Sequence, residues 1–263
     1  MKRILGNLAT GAAALALGMI STAQAQTSGA NFELRPQATW RLDATAYAWF
    51  QGVNGDVTAL GHKVSIDASP SDLMSYADFP VQGIVNVQEG RLLAIADGSW
   101  TPLTVKKSSS TVLPLPPGMA VEVKYSPVIA TAEAGYRIAD VRGYSIDGLA
   151  GARFWYLDTR ITLTPSPFGT IDKAVYWFDP IAGARLEKQI TPRLEATALG
   201  DIGGFGAGAQ LDYQVVGALS LALTPRLALD GAWRQTYADF KQGQLHSKTT
   251  ESGMVAGVTW RIL

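Results

Sequence analysis

The chain has no cysteine, which excludes disulfides, thiolate metal sites and a lipid-modified N-terminal cysteine. It has only two histidines, His62 and His246, 184 positions apart. Two imidazoles at that distance form no metal-ligand motif, and no serine sits in a nucleophile motif beside either of them. Neither histidine has a recognisable orienting acid in the sequence. Both fall in or beside expected outer loops, where an isolated histidine is ordinarily solvated. No excess of one charge exists either. Once Lys2 and Arg3 are removed with the leader, twenty basic residues face 22 acidic ones. Nothing electrostatic therefore favours nucleic acid. After the first 25 residues no apolar run is long enough for a transmembrane helix. No cofactor motif is present.

What is present begins with an export signal. Lys2 and Arg3 are followed by a mostly apolar stretch from Leu8 to Ile20 and by Ala23-Gln24-Ala25. This pattern is expected to be a cleaved signal peptide over residues 1–25, leaving 26–263 as one domain. A secreted chain of positive mean hydropathy without a spanning helix leaves two options: an outer-membrane barrel, or a soluble periplasmic β-barrel that binds a ligand inside.

Period decides between them. In "WRLDATAYAWF" one phase is Trp40, Leu42, Ala44, Ala46, Ala48 and Phe50; the other is Arg41, Asp43, Thr45, Tyr47 and Trp49. Strict alternation marks a strand with one apolar and one polar face. At about 3.3 Å per residue and a tilt near 40°, Trp40 and Phe50 differ in height by roughly 25 Å, the height of an outer-membrane apolar band with an aromatic at each interface. Leu211, Tyr213, Val215, Leu219, Leu221 and Leu223 repeat the pattern, as do Met254, Val258, Trp260 and Ile262. Ten strands are expected, near 38–51, 80–89, 91–105, 119–138, 143–163, 174–188, 193–202, 208–224, 226–240 and 245–263. Tight turns such as Glu89-Gly90-Arg91 and Thr224-Pro225-Arg226 alternate with longer loops, notably 52–79 and 106–118. The fold class is therefore a closed antiparallel up-and-down transmembrane β-barrel of ten strands, with eight and twelve left open. Twelve would follow if the hairpin in "DVTALGHKVSID", turning at Gly61, joined the barrel. Ser69 before Pro70, with Asp72 three residues on, predicts a capped helical turn in the same loop.

"GDIGGFGAG", Gly200 to Gly208, superficially resembles a phosphate loop. No helix N-terminus follows to present amides, and no Lys-Ser/Thr accompanies it. It is expected to be a bend at the barrel rim. Together with "WFDPIAGARL" (Trp177 to Leu186), this stretch resembles uncharacterised Gram-negative outer-membrane β-barrel proteins, and the resemblance runs from about Trp40 to the end. It implies location and fold, and carries no activity.

If the apolar phases face lipid, the polar phases line the lumen. They hold Asp43, Asp97, Glu133, Asp147, Asp179, Glu187, Glu195 and Asp230, with Arg41, Arg137, Arg153, Arg185, Arg193 and Arg234. Gly151 and Gly183 leave room beside Arg153 and Arg185, whose forks could reach Glu133, Glu195 or Asp230. The expected function is non-enzymatic: an envelope structural or surface-interaction barrel whose lumen is occluded by these charges. A narrow passive channel for small solutes is the alternative. Expected partners are outer-membrane lipid and, during biogenesis, the barrel-assembly machinery. Both termini would lie on the periplasmic side.

Overall fold

The computed structural model describes residues 40–59, 62–108, 120–141, 143–164 and 170–262. The leader and Gly61 lie outside the described residues, as does most of the 106–118 loop. The elements are β1 (Trp40–Ala59), β2 (His62–Ala68), α1 (Pro70–Tyr76), β3 (Val81–Glu89), β4 (Leu92–Trp100), β5 (Leu103–Ser108), β6 (Ala120–Val141), β7 (Tyr144–Thr164), β8 (Thr170–Thr191), β9 (Leu194–Gly204), β10 (Ala209–Ala222), β11 (Leu227–Gln242) and β12 (Leu245–Arg261).

Neighbouring strands are antiparallel, and β1 closes the sheet on β12 in continuous register from Asp43 opposite Arg261 to Thr58 opposite His246. Twelve strands occupy only ten positions around the ring. β3 pairs the lower part of β1 (Trp40 to Ala46), and β2 pairs its upper part (Val53 to Ala59). β4 and β5 likewise share the edge of β6. β2, where the sequence left twelve strands open, therefore lengthens an existing position instead of adding one, and the barrel is ten-stranded. Around the lower part of the barrel the ladder closes through β3 and β4, as hydrocarbon requires, while β2 and β5 each pair with a strand on one side only.

Two local devices explain the interrupted positions. Pro102 separates β4 from β5; it has no N–H to offer the ladder. Between β2 and β3 the chain turns out into α1. There the Ser69 hydroxyl accepts the Asp72 N–H at 3.2 Å, and the Asp72 carboxylate accepts the Ser69 N–H at 3.1 Å. This reciprocal cap starts the helix expected from the sequence. Over the gap, the side-chain oxygen of Gln82 accepts the Trp49 N–H at 2.6 Å, where a neighbouring strand would otherwise supply a carbonyl.

The faces follow the expected phases. Ala46, Val215, Leu219, Met254, Val258 and Trp260 are exposed on the outer wall; Asp43, Asp212, Gln214 and Arg234 are buried inside. An exposed apolar wall of this extent is what lipid, not water, would cover. The glycine bend joins β9 to β10, with positive φ at Gly204, Phe205 and Gly206. A Cβ on Gly208 would stand 2.5 Å from the Phe178 carbonyl and 2.7 Å from the Asp179 carboxylate. Only glycine permits that approach.

Candidate functional site: the barrel lumen

The inward phases build three zones. At the long-loop end, Trp155 and Trp177 stack at 5.5 Å between centroids, and Trp177 stacks on Phe240 of β11 at 4.0 Å. Trp49, Ile129 and Ala238 complete this apolar plug.

Beneath it lie two arginine clusters. Arg153 of β7 is fully buried. Its fork donates to both oxygens of Asp201 at 2.8 and 2.9 Å, to Asp212, and through Nε to Thr131 at 3.1 Å. The indole of Trp155 donates to the other oxygen of Asp212 at 2.7 Å. On the opposite wall Arg234 of β11 meets Asp97 of β4 at 2.7 Å. Those strands lie four positions apart around a ten-position ring, so this pair crosses the lumen. The Tyr47 hydroxyl donates to Asp97 at 2.7 Å and accepts from Arg234 at 3.0 Å, while the guanidinium sits 4.7 Å from the Trp49 ring. A bidentate fork pre-organised for carboxylates suits such crossings, and arginine stays charged throughout.

The short-turn half differs. Arg137 and Arg185 grip Asp147 from two strands, at 2.9 and 2.8 Å, and both contact Glu187. Arg41 and Arg261 hold Asp43 at the rim. Between these walls and the Arg234–Asp97 bridge remains a cavity of about 230 Å³.

Most of the charged residues expected inside are inside, but their pairing departs from expectation. Arg153 and Arg185 do not reach Glu133, Glu195 or Asp230. Register puts Asp179 opposite Arg153, but the fork reaches past β8 to Asp201 of β9 and Asp212 of β10; Asp147 stands directly opposite Arg185. Asp230 accepts from Thr259 at 2.6 Å. Asp179 is fully buried without an arginine; it accepts the Ala209 N–H at 2.6 Å and the Trp177 indole at 2.8 Å, pinning the glycine bend against β8. Arg193 is exposed in the turn between β8 and β9, because that strand starts at Leu194. The expectation that neither histidine has an orienting acid fails for His246, whose Nε2 lies 2.7 Å from Asp239. That pair occupies the outward phase, together with Lys248 at 3.0 Å from the same carboxylate. No hydroxyl among the described residues hydrogen-bonds the second ring nitrogen.

Sequence reasoning missed Asp201 and Asp212 as cluster members. Phase would have found both, since Asp201 continues the series Glu195, Thr197, Leu199, and Asp212 alternates with Gln214. Glu251, buried with one oxygen unpartnered, was also missed.

No protein-family description matches the sequence, and no curated protein does. Solved structures do match. The outer membrane protease OmpT of Escherichia coli superposes with a TM-score of 0.50 at 11% identity, over 84% of this chain and 97% of that one. The fold is that of an outer-membrane β-barrel. The attachment invasion locus protein Ail of Yersinia pestis also matches, at TM-score 0.34 and 12% identity over 85% and 98% of the chains. Neisserial surface protein A follows, at 0.30 and 15% over 84% and 96%. At these identities the likeness is one of fold alone.

Proposed function

We propose that the protein is a non-enzymatic outer-membrane barrel with a closed lumen, serving the envelope as a structural or surface-interaction element. The short-turn end and both termini face the periplasm in this reading, and the long-loop end faces outward. The Arg234–Asp97 bridge across the lumen carries it. An ion pair at 2.7 Å between nearly opposite walls obstructs a solute path in this reading, with the Trp177–Phe240 stack above it. Ten-stranded barrels also lie near the width that side chains fill. Above the glycine bend β8 continues from Pro180 to Thr170, and β7 and β6 rise beside it. That flap is the surface such a protein would present to its surroundings.

Two measurements test the reading. An epitope inserted at Gly243, in the β11–β12 turn, should be reached by antibody on intact cells, while the mature protein fractionates with outer membranes and migrates heat-modifiably on gels. Liposomes carrying the protein should not swell in arabinose. Recovery from the soluble periplasm would overturn the location, and swelling would overturn the closed lumen in favour of the channel.

A further inference from the structure

We propose that the short-turn half of the lumen is a binding cup for a small organic amine with a compact apolar body. Six carboxylates line the 230 Å³ cavity against three arginines: Asp43, Asp97, Glu133, Glu187, Glu195 and Asp230 against Arg41, Arg185 and Arg234. Partner accounting sharpens this excess. Asp43, Asp97 and Glu187 each hold an arginine, and Asp230 accepts from Thr259. Glu133 and Glu195 have no hydrogen-bond or ion-pair partner among the described residues. Glu133 decides the site. It is 5% exposed, it lines the cavity, and its Oε1 is buried with nothing donating to it. In register it stands between Ile95 of β4 and Gly151 of β7. Gly151 has no side chain to cover the carboxylate flank. A buried acceptor left unmatched costs free energy that a donor on a ligand recovers.

The remaining wall sets the rest of the ligand. Ile84, Leu93, Ile95 and Leu199 form an apolar face inside the lumen, where a water-filled channel would be polar. A hydrated inorganic cation gains nothing from that face, and an anion meets the unpaired acids. A molecule with one ammonium and a small apolar body satisfies both. At the roughly 30 Å³ that a water occupies in the liquid, the cavity equals about eight waters, or a ligand of about ten non-hydrogen atoms. The Arg234–Asp97 bridge is the roof and Arg41, whose side chain is 38% exposed, stands at the open rim, so access is from the short-turn end. Only that direction of access rests on the closed-lumen reading; the charge and shape argument does not.

The test is calorimetry on protein refolded in zwitterionic micelles at pH 8, with phenethylamine, its neutral isostere 2-phenylethanol, and phenylacetate. Phenethylamine should bind one to one. 2-Phenylethanol should bind at least tenfold more weakly, and phenylacetate not at all. Glu133→Gln should bring the amine to within about twofold of the alcohol, and Asp239→Asn, on the outer wall, should change nothing. Should Glu133→Gln not fold, Ala232→Trp fills the cup and should abolish binding of the amine. Equal binding of amine and alcohol, or unchanged amine binding in the variant that folds, overturns the proposal. Planar-bilayer recordings on the same preparation report separately on the lumen: a conducting protein that discriminates the amine defeats closure alone, and a silent protein that does not discriminate defeats the cup alone.

Discussion

Arg153 and Glu133 sit on lumen-facing positions of adjacent strands, both nearly inaccessible, yet one is saturated with partners and the other has none. A similar contrast recurs between the two halves of the lumen, although the long-loop half also holds Glu251 with one oxygen unpartnered and Arg234 with a free Nε. In the long-loop half each arginine reaches two or more oxygens and lies under stacked aromatic rings. In the short-turn half the walls carry leucines and isoleucines beside unpaired acids, around a cavity. Charge inside a barrel thus does two separable things. Matched by register, it cross-braces and closes; unmatched, it leaves a place for something else. Residue counts alone do not separate these outcomes, since both halves hold carboxylates and guanidinium groups.

The largest effect should come from breaking the saturated side. Arg153→Ala strands Asp201 and Asp212 in a dry interior, and losing one member of such a buried cluster costs about 3–5 kcal/mol. Urea unfolding from lipid vesicles, followed by the heat-modifiable gel shift, measures it. A near-neutral variant would show that water already screens the cluster.

Next come the outer-wall sites. Arginine at Ala46 or Leu219, both exposed at mid-strand on the outer wall, should cost about 2–4 kcal/mol in the same assay. Arginine at Thr45, which lines the cup beside Asp230, should be better tolerated. Equal tolerance at all three would invert the assignment of faces.

Arg185→Ala should cost less than Arg153→Ala, about 1.5–3 kcal/mol, the range of hydrogen bonds to charged groups. Asp147 keeps Arg137 when Arg185 is removed. A loss equal to that of Arg153→Ala would mean that the two halves are braced alike.

The smallest effect lies outside the membrane-spanning part. Burial works to raise the Asp239 carboxyl, but hydrogen bonds from His246 and Lys248 outweigh it and hold the group below its usual range. Its contribution is present above the ordinary carboxylate range and lost as pH falls through the depressed value. Lys248→Ala should move the Asp239 titration, read by carboxyl-carbon NMR, back toward that range with little change in stability. An unmoved titration would leave His246 as its sole support.

Much of this was legible from period alone. The alternation of Trp40 to Phe50 identified β1 and its faces, but the strand runs on to Ala59, eight residues past the expected end at 51. Repetition of the pattern gave ten positions, and Ser69-Pro70 with Asp72 announced α1. The sharing of one barrel position by β2 and β3 was not legible, because it depends on which stretch of β1 each pairs with. Pairing of the charges failed for the same reason. Phase places Arg153 and Asp201 inside, but only the folded wall, in which the Arg153 fork spans β8, brings them to 2.8 Å. Asp179 shows a further limit: besides the Trp177 indole its partner is a backbone N–H, and sequence carries no sign of which amide a fold will present.

Closure of the long-loop half is the central claim, and single-channel recording in planar bilayers tests it most directly. The wild-type barrel should be electrically silent, and removing both Arg234 and Asp97 as alanines, which leaves no unpaired charge at the bridge, should give rise to conductance. Stable unitary currents from the wild type, unaltered in that double variant, would contradict it.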